Sequence, residues 1–332
     1  MLERCRRDQW SVRDVDLSKA PRTMSAEDEI AICQLFTDMA VIERLAGALF
    51  REQARRVGGS TEGGTPRYSK DDETLRAIFE TFVVDEVRHA QMAQILADYY
   101  DRRRLKVYRP SRSLTRFFDH FVSAVTELED DVANTYITAG EVILDIALLR
   151  SINDYVADDA SDRAMRLINR DESRHIAIDY HMVGYYSSPE WLEKKAQRPK
   201  KTPRDHARAA KAFAGILYYG QPFFRDVFFQ PMELVDPSGT RMREAFKRLQ
   251  LLGAKPSTAN TWFGKFMKAL QAGYNDPRIG RVLGPAISRV VGVGDFLRML
   301  HSEDEGKRAA AMSFEELAAE VVSVKEGHAK FS

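Results

Sequence analysis

Cysteine is nearly missing: only Cys5 and Cys33 occur in 332 residues. That scarcity excludes a disulfide-stapled secreted scaffold and a cysteine-based zinc site, and it fits a reducing, cytoplasmic setting. No apolar run approaches the roughly 18 uninterrupted residues of a membrane span, so none is expected. Arg4, Arg6 and Arg7 near the amino terminus are not followed by an apolar run, so no signal peptide is expected. Excess charge is absent too. With 50 basic and 49 acidic residues the net charge is +1, which excludes the basic footprint of a nucleic-acid binder and an acidic tail. There is no strand pattern, no glycine-rich phosphate loop and no nucleophile elbow. A small molecule or another protein remains as partner.

What is present is helical periodicity. Residues 1–24, with Trp10 and Pro21, read as an extended arm. Ser25 and Asp28 form an N-cap with an acidic N3 residue, and Ile30, Leu35, Met39, Ile42, Leu45 and Phe50 recur at helical spacing, which predicts a helix over 25–57. The Gly58 to Pro66 segment ends it. A second helix opens near Ser69 and runs to about 103, and Pro110 and Ser113 mark the next break. A third pattern covers 114–157 with a possible break near Glu129, Asp130 and Asp131. Cap chemistry at Asp158, Asp159 and Ser161 opens a fourth helix over 161–185. Four long helices with short or glycine-rich connections are the signature of a bundle.

Past Ser187, Ser188 and Pro189 the texture changes. Lys194, Lys195, Arg198, Lys200 and Lys201 read as an exposed basic linker. Thr202 and Pro203 can cap another helix. The aromatic run of Tyr218, Tyr219, Phe223, Phe224, Phe228 and Phe229 reads as core or dimer packing, with the wall of an apolar substrate channel as the sharper alternative. Shorter helices follow, through Pro256, Trp262, Pro277, Pro285 and a capping box at Ser313 and Glu316. The expected organisation is all-α: an arm over 1–24, a bundle over 25–187 and additional helices over 188–332.

One pentapeptide occurs twice, as Asp85-Glu86-Val87-Arg88-His89 and as Asp171-Glu172-Ser173-Arg174-His175. A carboxylate and an imidazole three residues apart share one helix face, so each copy offers a metal ion two ligands. A carboxylate-bridged pair of metal ions needs one further carboxylate from each of two other helices. Glu141 is one candidate, because it interrupts an apolar stretch where a charge is costly unless compensated. In the first helix Glu43, flanked by Val41, Ile42 and Leu45, is preferred to Glu52, which sits among Arg51, Arg55 and Arg56. Asp171 is expected to accept the outer N–H of His89, and Asp85 that of His175, fixing each tautomer. Arg88 and Arg174 either tie down these acids or form surface salt bridges. Thr138 and Asp145, one turn either side of Glu141, are candidates for proton delivery or for tuning the ligands, with purely structural roles as the alternative, and Asp179 for an extra ligand or a partner to one.

Over roughly residues 8–185 the chain resembles the ferritin-like di-iron superfamily, and more closely its ribonucleotide reductase small-subunit branch. Residues 9–18, containing Trp10, resemble the amino-terminal arm of those subunits, and residues 166–175 resemble their second metal-binding helix. Aligning Met24, Ser25 and Ala26 with the start of the family's first ligand helix places Glu43 at its first carboxylate. The resemblance implies a ferritin-like four-helix bundle with two iron ions, manganese or a mixed pair being possible, and dioxygen as co-substrate. Two departures qualify it. Ala93 stands where radical-generating subunits carry their tyrosine, and the final residues 326–332 lack the acidic, tyrosine-containing tail that docks the large subunit. Tyr136 lies where related ligand-binding oxidases carry a cross-linked tyrosine.

The function expected is a di-iron oxygenase or oxidase that uses dioxygen to hydroxylate, N-oxygenate or desaturate a small organic substrate, with an external electron donor and a homodimeric assembly. Glu43, Glu86, His89, Glu141, Glu172 and His175 are the expected ligands. The rivals are a reductase-like radical or ligand-binding oxidase protein and an iron-storage protein.

Overall fold

A computed structural model describes residues 1–57, 70–198, 200–259, 261–276, 278, 281 and 298–325, and every regular element among these residues is a helix. The loop at Gly58 to Pro66, the opening at Ser69, Pro277, Pro285 and the ending 326–332 lie outside the described residues. The chain divides into two compact units: Met1–Phe118 with Asn153–Arg174, and Asp119–Ile152 with His175–Ser332.

In the first unit, α1 (Leu2–Arg7) and a 3-10 turn (Val12–Asp14) replace the wholly extended arm expected from sequence. The turn is fixed by a capping box between Ser11 and Asp14, and α1 is anchored by the fully buried Cys5. The long helices α2 (Ala26–Arg56) and α3 (Lys70–Tyr100) pack together along their length. At the start of α2 the Ser25 hydroxyl accepts from the Asp28 N–H at 3.0 Å, and acids fill its first turn while Arg55 and Arg56 close its last, complementing the helix dipole. Glycine matters at one point of this packing. A Cβ on Gly47 would come within 3.1 Å of the Glu86 Cβ, so Gly47 lets α2 approach α3 beside Glu86.

The third helical pattern is divided as the sequence suggested. Helix α4 (Arg112–Val125) ends before Glu129, and α5 (Asp130–Ile143) continues through a π-helical turn (Leu144–Leu149) into α6 (Arg150–Val156). Helix α7 (Asp159–Tyr186) runs without interruption, opened by Asp158, whose carboxylate accepts from the Ala160 N–H at 2.9 Å. The run Asp130–Val156 is apolar and long enough to cross a membrane by composition, but 78% of its most apolar window is buried inside the protein, as in the core helix of a globular domain.

In the second unit the basic segment is exposed at Lys194, Arg198, Lys200 and Lys201, as expected, but its first part is helix: residues Pro189–Ala196 form α8. Cations within and after α8 reach the acids at the start of α5: Lys195 lies 3.2 Å from Glu129, Arg198 donates to Asp130 at 2.7 Å, and Lys201 pairs with Glu129. Helix α9 (Pro203–Phe224) opens with the expected Thr202 cap, as a capping box with Asp205. Its aromatic run divides: Phe223 and Phe228 are buried edge-to-face at 5.4 Å, while Tyr218 is 75% exposed. A second π-helical turn (Arg225–Phe229) leads into α10 (Gln230–Val235), followed by α11 (Thr240–Gly253), α12 (Pro256–Ala259), α13 (Trp262–Asn275), α14 (Glu303–Ala311) and α15 (Phe314–Lys325). The Ser313–Glu316 capping box forms as expected, with bonds of 2.6 and 3.1 Å.

Candidate metal centre

Within the first unit, α2 contributes Glu43, α3 contributes Glu86 and His89, and α7 contributes Glu172. One ligand atom from each lies within 4.8 Å of all the others, and all four residues are buried. The i, i+3 spacing works as expected, since Glu86 and His89 share the face of α3 that meets α2. His89 Nδ1 is 2.8 Å from a Glu172 oxygen and 3.7 Å from a Glu86 oxygen.

Three carboxylates around one imidazole make this an electrostatically crowded place. Burial, reinforced by the nearby Glu86 and Glu172 carboxylates, pushes the Glu43 carboxyl well above its ordinary range. For His89, burial favours the neutral ring, but the Glu172 charge and the contacts with Asp171, Glu172 and Glu86 together outweigh it and hold the proton well above the usual range. With the ring proton displaced, the four residues offer carboxylate oxygens and a ring nitrogen, donor types that a divalent metal ion accepts.

Behind the imidazole stands a second layer. Asp171 Oδ2 lies 3.3 Å from His89 Nε2, as the sequence suggested, and accepts the Trp10 indole N–H at 2.6 Å. Arg174 donates to the other Asp171 oxygen at 2.6 Å. Against the upward push of burial, His89, Arg174 and Trp10 hold Asp171 at about 2. Arg88 donates to Asp85 at 3.1 Å and to Asp171 at 3.4 Å, and Arg174 also reaches Asp85 at 3.4 Å. With Arg88 and Arg174 both buried, they tie down the two acids and are not surface salt bridges. Gln9 donates to Asp85 at 3.2 Å, and Arg88 donates to Gln9 and lies over the Trp10 ring. Sequence reading placed Trp10 only in the arm. Its position two residues after Asp8 carries no periodic signal, and its contact with Asp171 closes over 161 residues of chain.

The remaining expected residues belong to the second unit. Glu141 on α5 and His175 on α7 are buried, with a carboxylate oxygen and a ring nitrogen within 4.8 Å of each other. His175 follows Glu172 by one turn of the uninterrupted α7. Thr138 donates its hydroxyl to the Asn134 carbonyl at 3.0 Å, and the Asn134 amide reaches the Asp179 carbonyl at 3.4 Å. Asp145 receives the buried Lys325 ammonium at 3.2 Å, a partner 180 residues away. Asp85 accepts from Gln9, Arg88 and Arg174 within the first unit. Tyr136 packs edge-on against Phe121 and Phe213 at 6.0 and 6.3 Å. Glu52 is held by Arg55 and Arg56 at 2.7 and 2.9 Å, consistent with its rejection as a ligand.

Comparison of the chain with protein-family models, with curated proteins and with solved structures finds no match.

Proposed function

We propose that this protein is a ferritin-like di-metal oxidoreductase that uses dioxygen to hydroxylate, N-oxygenate or desaturate a small organic substrate, drawing electrons from an external donor. The observation that carries the reading is the buried quartet Glu43, Glu86, His89 and Glu172, whose donor atoms lie within 4.8 Å of one another. In this reading the quartet holds one ion, and Glu141 and His175 contribute to holding a second. When bound, a pair of iron ions supplies electrons to dioxygen and open coordination positions for it.

The chain's own residues do the rest. Glu43, Glu86 and Glu172 supply negative charge that offsets that of the ions. Asp171, kept ionised by Arg174 and Trp10, orients the His89 ring through Nε2 and leaves Nδ1 facing the carboxylates. Burial of the quartet excludes water from the reacting volume. Thr138 and Asp145 are the proposed proton carriers on the Glu141 side.

Anaerobic loading with Fe(II), followed by rapid mixing with dioxygen, tests this reading. Uptake of dioxygen in proportion to bound iron supports it, and iron-loaded protein that consumes no dioxygen contradicts it.

A second reading, a protein that stores or relays a one-electron oxidising equivalent, is favoured by Trp10. Its oxidisable indole donates to the same Asp171 oxygen that contacts His89. Under that reading Trp10→Phe leaves metal content intact and removes a tryptophan radical signal formed after oxygen exposure. Absence of such a signal in the native protein contradicts it.

A further inference from the structure

A cavity of about 590 Å³ lies in the first unit between α2, α3 and the loop over residues 101–110, and no member of the metal quartet lines it. Its size falls within the roughly 300–1,000 Å³ of small-molecule sites. Small side chains, Ala40 on α2 and Ala97 on α3, open the floor, while the exposed Arg44, Gln94 and Asp98 give it access to solvent.

The roof is pre-formed. Arg103 donates to Glu29 through both its backbone and its guanidinium at 2.9 Å, Gln34 donates to the Arg109 carbonyl at 2.8 Å, and Ser111 donates twice to Asp38 at 2.7 Å. These ties fasten the loop to three positions along α2. They also hold Arg104 in the left-handed region at φ 52°, a conformation that costs a residue with a side chain about 1 kcal/mol. Left-handed residues sustained in this way concentrate at ligand clamps.

Charge decides what such a cavity takes. Arg44, Arg104 and Lys106 line it together with Asp98 and Asp101. Arg104 is engaged by Asp101 at 3.7 Å, and Lys106 donates to Gln34 at 3.2 Å beneath the Tyr108 ring. Arg44 has no carboxylate partner among the described residues. Three cations against two carboxylates leave a single positive charge, which suits a monoanion and disfavours a polyphosphate. Val41, Val107 and Pro110 add apolar wall, and Val107 is 82% exposed at the rim.

We propose that this cavity binds a small organic acid, its carboxylate held by Arg44 and Lys106 and its apolar body covered by Ala40, Val41 and Val107. The site is independent of the metal centre and is tested with and without metal. Isothermal titration of the full chain with benzoate and octanoate, against benzamide and octanamide, is the measurement. At least one acid should saturate at one molecule per chain with Kd below about 1 mM, and neither amide should saturate. Arg44→Gln and Lys106→Gln should each weaken acid binding roughly ten-fold or more, the usual loss for a charge-assisted hydrogen bond. Arg51→Gln, an exposed α2 control, should not change it, and all three variants should keep the native melting temperature. Failure of both acids to saturate by about 10 mM, equal binding of the amides, or unchanged affinity in Arg44→Gln would each overturn the proposal.

Discussion

The metal quartet of the first unit handles buried charge differently from the ion pairs of the second. In the second unit Asp145 pairs with Lys325 at 3.2 Å, Glu244 with Arg248 at 2.6 Å, and the buried Lys247 with the partly exposed Glu305 at 2.6 Å. In the first unit, Asp85 and Asp171 are likewise balanced by Arg88 and Arg174. The quartet differs, because three carboxylates converge on one another and on a single imidazole. The quartet thus gathers oxygen and nitrogen donors into a group that could hold a cation from outside.

The largest effect that separates the two cases should come from Lys325→Met. Removing one partner of a fully buried pair leaves Asp145 uncompensated, at a cost of about 3–5 kcal/mol. Urea denaturation should show this loss, and Asp145→Leu combined with Lys325→Met should recover most of it. A Lys325→Met protein as stable as the native one would erase the contrast. Next, Asp171→Asn should weaken metal binding about 10–100-fold by loosening the His89 ring. Competition with a chelator reads that change, and unchanged affinity would remove Asp171 from its orienting role.

Glu43→Gln should act only through the metal. Burial already favours the neutral Glu43 carboxyl, so a neutral amide there should leave the melting temperature of the metal-free protein close to native while abolishing any stabilisation by added metal. A variant that added metal still stabilises as much as the native chain would remove Glu43 from the ligand set.

The smallest effect is one of pH. Glu305 is lowered from 4.5 to about 2, chiefly by the Lys247 hydrogen bond, with Ser302 adding to it. Its folded pKa is below its unfolded one, so its stabilisation is present above about pH 4.5 and is lost as pH falls through about 2. Because Glu305 is partly exposed, the expected contribution is below about 1 kcal/mol. Acid titration of native and Glu305→Gln proteins should show their stabilities converging at low pH, and a gap that persists there would contradict the assignment.

Much of the site was legible because helices turn spacing into geometry. The Glu-x-x-His pairs needed only three residues of register, and the choice of Glu43 over Glu52 followed from apolar against charged neighbours. The same local logic located the caps at Ser25, Thr202 and Ser313. What escaped were contacts closed over long stretches of chain. Trp10 meets Asp171, Lys325 meets Asp145, and Lys195 and Arg198 meet Glu129 and Asp130 at the start of α5, and none of these pairings leaves a periodic trace. The π-helical turn just beyond Glu141 was equally silent, since its residues continue the apolar pattern of the helix they interrupt.

Metal content per chain is the most direct test of the central claim. After anaerobic loading with Fe(II) and removal of free metal, the native chain should retain about two ions, Glu86→Ala should lose most of them, and Glu52→Ala should keep the native complement. A native chain that retains no iron, or a Glu86→Ala chain that retains as much as the native one, would contradict it.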